Sequence, residues 1–354
     1  MTPRKVRIGD RWIGEGEPCF IVAEAGSNHN GRLDQALAII DAAKGAKADA
    51  VKFQNFIADK LYPHNAGTAD YLPVKKPIYD IIKNMEMPIE WIPILADYCK
   101  AKDLVFFSSP FDEESADELE PYVQVYKIAS YEITHAPLIR HVARKRKPMI
   151  LSTGTANLSE VRQALEWCRA EGNDQVVFLQ CTASYPAPPS SLNIRALVTM
   201  RETFGVPTGL SDHSRDPLVA PLAAVALGAT VLEKHLTLSN HLPGPDHAYA
   251  VEPAEFAAMV TAVRSAEQAL GNGIKVTHSV ERELHKFARR SIYAIRSIKK
   301  GETFTVDNVA VLRGGKLATG LEPKYWDQIL GRKAHRDIAE GSSIEAGDCG
   351  IEVA

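Results

Sequence analysis

The strongest constraint in this sequence is a repeated alternation. Eight short apolar runs recur: CFIVAEAG (Cys19–Gly26), DAVKFQ (Asp49–Gln54), LVFFSSP (Leu104–Pro110), VQVYKIAS (Val123–Ser130), PMILSTG (Pro148–Gly154), QVVFLQCT (Gln175–Thr182), VPTGLSDH (Val206–His213) and ATVLEKHL (Ala229–Leu236). Between them lie segments such as LDQALAIIDAAKGA, LSEVRQALEWCRAEG and PLVAPLAAVALGA, with apolar residues at helical spacing. A further helical segment, EPAEFAAMVTAVRSAEQALG, follows the eighth run. Strand then helix, repeated eight times, predicts an α/β fold with parallel strands closed into a (β/α)8 TIM barrel. A doubly wound open sheet usually carries GxGxxG after its first strand, and AEAGSNHNG does not fit that pattern.

Near Gly271 the pattern changes. GNGIKVTHSVERELH reads as a loop and a short helix, and from Lys286 onward short β-like runs are separated by the turns KKGE and EGSS. The expected organisation is a barrel over 1–270, a linker over 271–285 and a small β-rich domain over 286–354. A domain of that size builds only a modest core, so docking on something larger is expected.

Composition excludes several classes. With 354 residues, 45% hydrophobic and 24% charged residues and a formal net charge of −3, the chain has no bulk attraction for nucleic acid or anionic membranes. An anionic ligand must therefore meet a local positive site. Cys19, Cys99, Cys168, Cys181 and Cys349 are widely spaced with no CxxC, as expected of reduced thiols in the cytoplasm. The N-terminus shows no apolar signal-peptide core, and no run of 18 apolar residues predicts a membrane span.

In such a barrel the chemistry lies at the C-terminal ends of the strands. Those ends read Glu24 with Asn28 and His29; Lys52 and Gln54; Ser108 and Ser109; Lys127, Ser130 and Glu132; Ser152 and Thr153; Gln180, Thr182 and Tyr185; Ser211, Asp212 and His213; Glu233, Lys234 and His235. Mixed polar residues are common at loop starts. Lysines inside strand runs are not, because a buried ammonium needs an anionic partner. Snorkelling or a neighbouring carboxylate accounts for either lysine alone. Lys52 and Lys127 together with the ring of hydroxyls point to a phosphate or carboxylate site. One strand-end histidine is more often structural than a ligand; His213 and His235, at the same end of adjacent strands, make a metal an equal contender. Imidazole suits Mn, Fe, Co, Ni or Zn, and with no cysteine at these two ends the metal type stays open. Asp212 and Glu233 are candidate ligands or orienting groups.

The stretches IVAEAGSNHNG, AVKFQ, FFSSPF, YKIASYE, ILSTG, CTASYP, GLSDHS, LEKHLTL and LPGPDHAYAVEP, taken in order, resemble the sialic acid synthase family. The resemblance covers nearly the whole chain, including a C-terminal segment similar to the SAF, or antifreeze-like, domain of that family. It implies a synthase that joins phosphoenolpyruvate to an N-acyl hexosamine. C3 of phosphoenolpyruvate attacks the open-chain aldehyde, water captures C2, and phosphate leaves by C–O cleavage. It further implies His213 and His235 as protein ligands of a divalent metal, typically Mn, that polarises the aldehyde. Lys52, Ser109, Lys127, Ser130, Thr153 and Ser211 match positions that hold phosphoenolpyruvate. Glu24 matches a general base or orienting carboxylate, and Glu132 a residue facing the sugar. Gln54, Tyr185 and Asp246 are expected on the sugar side. Arg313 matches an arginine that reaches the sugar bound to the other subunit, which implies a domain-swapped homodimer.

Two departures bear on the sugar. CTASYPAP places Ala183 where users of N-acetylmannosamine often carry CTNIYPT, and the arginine motif reads RGG where RPG is usual. Both point away from N-acetylmannosamine. CTASYPAPPSSLN, NHLPGPDHAYAVEP and GLEPKYW look closer to the spore coat polysaccharide branch, which overlaps with legionaminic and pseudaminic acid synthases. The intact PGPD fits the sialic or legionaminic type better. The competing expectations are another phosphoenolpyruvate-dependent aldol-type synthase on the same barrel, and a non-catalytic saccharide-binding protein.

Overall fold

The computed structural model describes residues 4–68 and 76–353. Its eight parallel strands are β3 (Phe20–Gly26), β4 (Ala50–Asn55), β5 (Val105–Pro110), β6 (Tyr126–Ile128), β7 (Met149–Ser152), β8 (Val176–Cys181), β9 (Thr208–Asp212) and β10 (Val231–His235). They are preceded by an antiparallel hairpin of β1 (Val6–Ile8) and β2 (Arg11–Ile13). The sheet order is β5-β4-β3-β10-β9-β8-β7-β6, with the first and last strands side by side, so the barrel is nearly closed. All eight expected strands are present, in an α/β fold of the expected (β/α)8 kind.

Two details differ from the sequence reading. The hairpin went unread, although VRIGDRWI alternates correctly around a glycine at φ +57°, the left-handed backbone that a tight turn demands. It buries Val6, Ile8 and Ile13 in the barrel core. The fourth run, eight residues long in the sequence, forms a three-residue strand. It ladders only with β7, and at Ser130 the backbone turns into a 3-10 segment, Ser130–Thr134.

The outer helices follow the amphipathic pattern. Leu33–Gly45 buries Ala36, Ile39, Ile40 and Ala43, one face of the helix. Leu158–Ala170 starts at a capping box in which Asn157 accepts from the Glu160 backbone and Glu160 returns the bond. The barrel strands bury Phe20, Phe53, Phe107 and Phe178 completely, each contributing about 1.5–3 kcal/mol relative to exposure.

Register decides what shares the barrel interior. His235 lies beside Glu24, Glu24 beside Lys52, Gln54 beside Ser109, and Glu233 beside Ser211. Side chains alternate across a strand, so these residues share the inner face and Asp212 and Lys234 point to the outer one. Gly209, two residues before Ser211, has no room for a side chain: a Cβ there would lie 2.1 Å from the Val231 carbonyl oxygen.

The chain divides into two compact units, Met1–Gly271 and Asn272–Ala354. In the second, a helix spans Arg282–Ala288, crossing residue 286, where the β-rich domain was expected to begin. Strands β11 (Arg290–Ala294) and β12 (Val309–Arg313) pair antiparallel over a core of Ile292, Ile298, Phe304, Val309, Ile329, Ile338 and Ile344. Among the described residues no helix is long and apolar enough to cross a membrane.

Candidate active site

The inner-face polar residues converge at the C-terminal end of the barrel. Lys52 Nζ lies 2.8 Å from Glu24 Oε2, 3.3 Å from Ser109 Oγ and 3.8 Å from Glu233 Oε1. Lys127 Nζ lies 3.7 Å from the same Glu233 oxygen. Ser211 Oγ donates to that oxygen at 3.0 Å, and Gln54 Nε2 donates to Glu24 Oε1 at 2.8 Å. Lys52, Lys127, Glu24 and Glu233 are all at least 95% buried. The two lysines are thus balanced by two carboxylates, one of which, Glu233, spans both. Its second oxygen, Oε2, is buried with no hydrogen-bond partner among the described residues.

Burial opposes charge on Lys52, but Glu233 and Glu24 outweigh it and hold its pKa above the ordinary value. Burial likewise opposes ionisation of Glu233, and Lys127 and Lys52 outweigh it, so its carboxyl lies below the usual range. At Glu24 burial wins over the attraction of Lys52, and the pKa rises to about 7. A carboxyl titrating there can hold or release a proton at neutral pH. Burial pulls Lys127 down.

The histidines lie one strand apart, with ring centroids separated by 5.4 Å. His213 Nδ1 is 2.9 Å from the Thr182 carbonyl, which accepts its proton, so Nε2 is the nitrogen left to act as a ligand. Burial, the nearby His213 and the lysines push His235 well below its ordinary pKa, so its ring is neutral. Tyr185 stacks on His213 at 4.3 Å, and Tyr249 packs edge-on against His235 at 5.1 Å. Asp246 Oδ2 lies 3.9 Å from His235 Nδ1, with its carboxyl pKa raised by burial. Gly26 sits where Asp246 meets the barrel: a Cβ there would lie 3.3 Å from Glu24 Oε1 and 3.4 Å from Asp246 Oδ2.

The donors suit a metal held by two imidazoles. Two rings at this separation, one with its Nδ1 proton fixed by a carbonyl, match how histidine ligands are oriented. Among the described residues no group of three or more His, Cys, Asp or Glu side chains is placed to hold a metal ion.

The other candidates are placed less uniformly. Ser130 Oγ accepts from the Gly154 backbone at 3.1 Å. Thr153 Oγ1 donates to the Leu179 carbonyl at 2.9 Å, so its only proton is already used. Glu132 lies buried on the 3-10 segment after β6, and burial raises its pKa. Among the described residues no hydrogen bond joins its side chain to the other candidates. Arg313 is exposed at the end of β12, in the second unit, and pairs in register with Arg290.

Sequence reasoning missed Cys181 and Tyr249. Cys181 Sγ lies 3.7 Å from His213 Nδ1, so a cysteine does reach a histidine, from the neighbouring strand. Burial would raise the thiol's pKa, but His213 outweighs it, and the contact in turn lifts His213 against its own burial. The signal was alternation on β8, where Val177, Leu179 and Cys181 share the inner face. Tyr249 arrives through a return of the chain, sealed by a parallel bridge between Leu236 and Val251, which no local pattern announces.

Two open cavities of about 1060 and 690 Å³ lie at the opposite end, around Asp49. There Arg264 pairs with Asp49 at 2.7 Å and with Glu267 at 3.1 Å, and Arg11 also pairs with Asp49. These are closed ion pairs at the face associated with stability in such barrels.

Comparison with known proteins agrees with the fold. The profile of the NeuB family matches residues 39–275, and that of the SAF domain residues 289–348. The chain is 43% identical over 355 residues to the spore coat polysaccharide biosynthesis protein SpsE of Bacillus subtilis, covering 96% of this chain and 95% of that protein. The crystal structure of SpsE matches 99% of this chain and 100% of its own, with a TM-score of 0.67. A pseudaminic acid synthase of Campylobacter jejuni is 38% identical, covering 93% of this chain and 96% of the relative. An N,N'-diacetyllegionaminic acid synthase of Legionella pneumophila is also 38% identical, with 94% of each chain covered. A barrel with this ring of strand-end residues, followed by a SAF domain and matched over nearly its whole length by such relatives, belongs to the NeuB family.

Proposed function

We propose that this protein is a nonulosonic acid synthase that condenses phosphoenolpyruvate with an open-chain N-acyl hexosamine and releases phosphate. The observation that carries this reading is the cluster Lys52, Glu24, Glu233 and Lys127 beside His213 and His235 at one end of the barrel. Lys52 and Lys127, with Ser109, Ser130 and Ser211, bind the phosphate and carboxylate of phosphoenolpyruvate, and Thr153 joins them when its hydroxyl proton turns from the Leu179 carbonyl to the anion. Binding of this anion competes with Glu24 and Glu233 for the lysines. A divalent metal, most suitably Mn, held by His213 and His235 supplies Lewis-acid polarisation of the sugar carbonyl.

The bond changes then balance. C3 of phosphoenolpyruvate forms the new C–C bond as its C2–C3 π bond and the sugar's C=O π bond are consumed, the sugar oxygen takes up a proton to become a hydroxyl, water adds at C2 with loss of its protons, and the C2–O bond to phosphate breaks to leave a C2 ketone. Glu24, tied to Gln54, orients the water and takes its proton. Tyr185 and Tyr249 wall the pocket around the two imidazoles. Glu132 and Asp246 face the sugar. Relatives named pseudaminic and legionaminic acid synthase support a 2,4-diacetamido-trideoxyhexose substrate, and Ala183 in place of an amide agrees. The test is phosphate release from phosphoenolpyruvate with Mn²⁺ and a panel of N-acetylmannosamine, 2,4-diacetamido-trideoxyhexoses and sugar phosphates. Release that depends on a diacetamido sugar is the expected result. Release driven only by a sugar phosphate, or by no sugar, overturns the reading.

A two-chain site is part of the proposal: Arg313 reaches the sugar in the partner's barrel. Supporting it, the segment between the barrel and β11 exposes Ile274, Val276, Val280, Leu284 and Phe287, with Val280 88% exposed. So many exposed apolar side chains in one short segment favour cover by another surface. Mixing His213→Ala with Arg313→Ala chains is expected to restore about a quarter of wild-type activity, because half of randomly reassorted dimers carry one whole site. Full activity of Arg313→Ala alone, or no rescue on mixing, rejects the swapped arrangement.

A further inference from the structure

Lys234 is unlike the other strand lysines. It lies on the outer face of β10, is 1% exposed, and serves neither Glu24 nor Glu233. Its Nζ donates to Asp212 Oδ2 at 2.6 Å, to the Asp216 carbonyl at 3.0 Å and to the Ser214 carbonyl. The residues on both sides of His213 are thus tied to the residue that precedes His235. Asp212 Oδ1 also accepts from the Ser214 backbone at 2.8 Å, closing the turn, and the His213 carbonyl accepts from the Ala187 backbone at 3.0 Å. Asp216 in turn accepts from the backbones of Leu218 at 2.8 Å and Val219 at 2.7 Å, at the start of helix Val219–Ala226. The clamp therefore runs from β10 through the turn after β9 to the next helix.

A buried ammonium is costly, and a hydrophobic residue of the same volume serves packing as well or better. The ion pair is therefore weak evidence of stabilisation and better evidence of a requirement for register. We propose that Lys234 is a positioning residue that sets the separation and orientation of the His213 and His235 rings. This rests on the reading that those rings together hold a metal, but it concerns their geometry in the metal-free protein.

The experiment compares the full chain with Lys234→Met and with the double variant Asp212→Asn, Lys234→Met. The single change leaves Asp212 buried and unpaired and is expected to fold poorly. The double variant removes both charges and keeps a side-chain oxygen at position 212 for the Ser214 backbone, so it isolates positioning from stability. Lys145→Met, an ammonium paired on the outer surface with Asp117 and Glu120, is the control. Two readouts apply: imidazole nitrogen NMR of the metal-free protein, and Mn²⁺ affinity from the spectrum of free Mn²⁺. In the double variant, with wild-type circular dichroism, His213 is expected to lose its single Nδ1-protonated signature. Its Mn²⁺ affinity is expected to fall about 10- to 100-fold, the effect typical of groups that orient metal ligands. Wild-type imidazole spectra with affinity within about twofold of wild type overturn the proposal. If the wild-type protein itself binds no Mn²⁺, the metal reading fails and the imidazole spectra alone decide: altered spectra support positioning, unchanged spectra overturn it.

Discussion

His213→Ala and His235→Ala are each expected to lower turnover by more than about 100-fold, because loss even of a group that merely orients a ligand costs 10–100-fold. Each substitution removes one of two rings 5.4 Å apart that share a single ion in the proposed mechanism. Both leave the barrel core untouched, since His213 and His235 lie at its rim beside Tyr185 and Tyr249 and outside the apolar cluster. Circular dichroism should therefore match wild type while Mn²⁺ binding and phosphate release collapse together. Undiminished phosphate release after exhaustive chelation, or a variant near wild-type rate, sinks the metal assignment.

Lys127→Met and Lys52→Met are expected to raise KM for phosphoenolpyruvate strongly and to leave the sugar's KM nearly unchanged. Truncating one partner of a buried, hydrogen-bonded charge pair costs about 2–5 kcal/mol, more than about a tenfold loss of affinity. The two variants should differ in stability. Lys127 meets Glu233 at 3.7 Å, and Lys52 remains to hold that carboxylate. Lys52 touches Glu24 at 2.8 Å as well, so its loss strands a buried carboxyl and costs about 3–5 kcal/mol. Adding Glu24→Gln to Lys52→Met should recover much of that stability and none of the affinity. Steady-state kinetics with each substrate varied in turn, alongside thermal melts, separates these effects. A loss confined to the sugar's KM contradicts the placement of the lysines.

The barrel, the SAF-like segment and the family were all legible in the amino-acid order alone. A run such as ATVLEKHL is long enough for one strand, β-branched and apolar enough for burial on both faces, and followed by a helix too regular to be anything else. Repetition then removes the ambiguity that any single run leaves. The strand-end position of His213 and His235 was equally legible, because parallel strands put all their C-terminal ends on one face, while Lys52 and Lys127 lie inside β4 and β6 and reach that end with their long side chains. What the lysines meet was not. Charged residues at the ends of β9 and β10 look alike in sequence, yet register turns Glu233 inward to bridge Lys52 and Lys127, and Lys234 outward to Asp212. A shift of one residue exchanges those two faces. Cys181 and Tyr249 belonged to the same blind spot, since their neighbours lie on other strands and in a returning loop. Local pattern decides which residues reach the mouth of a barrel. Closure of the sheet, a contact between segments far apart in the chain, decides which of them touch, and with that which carry charge.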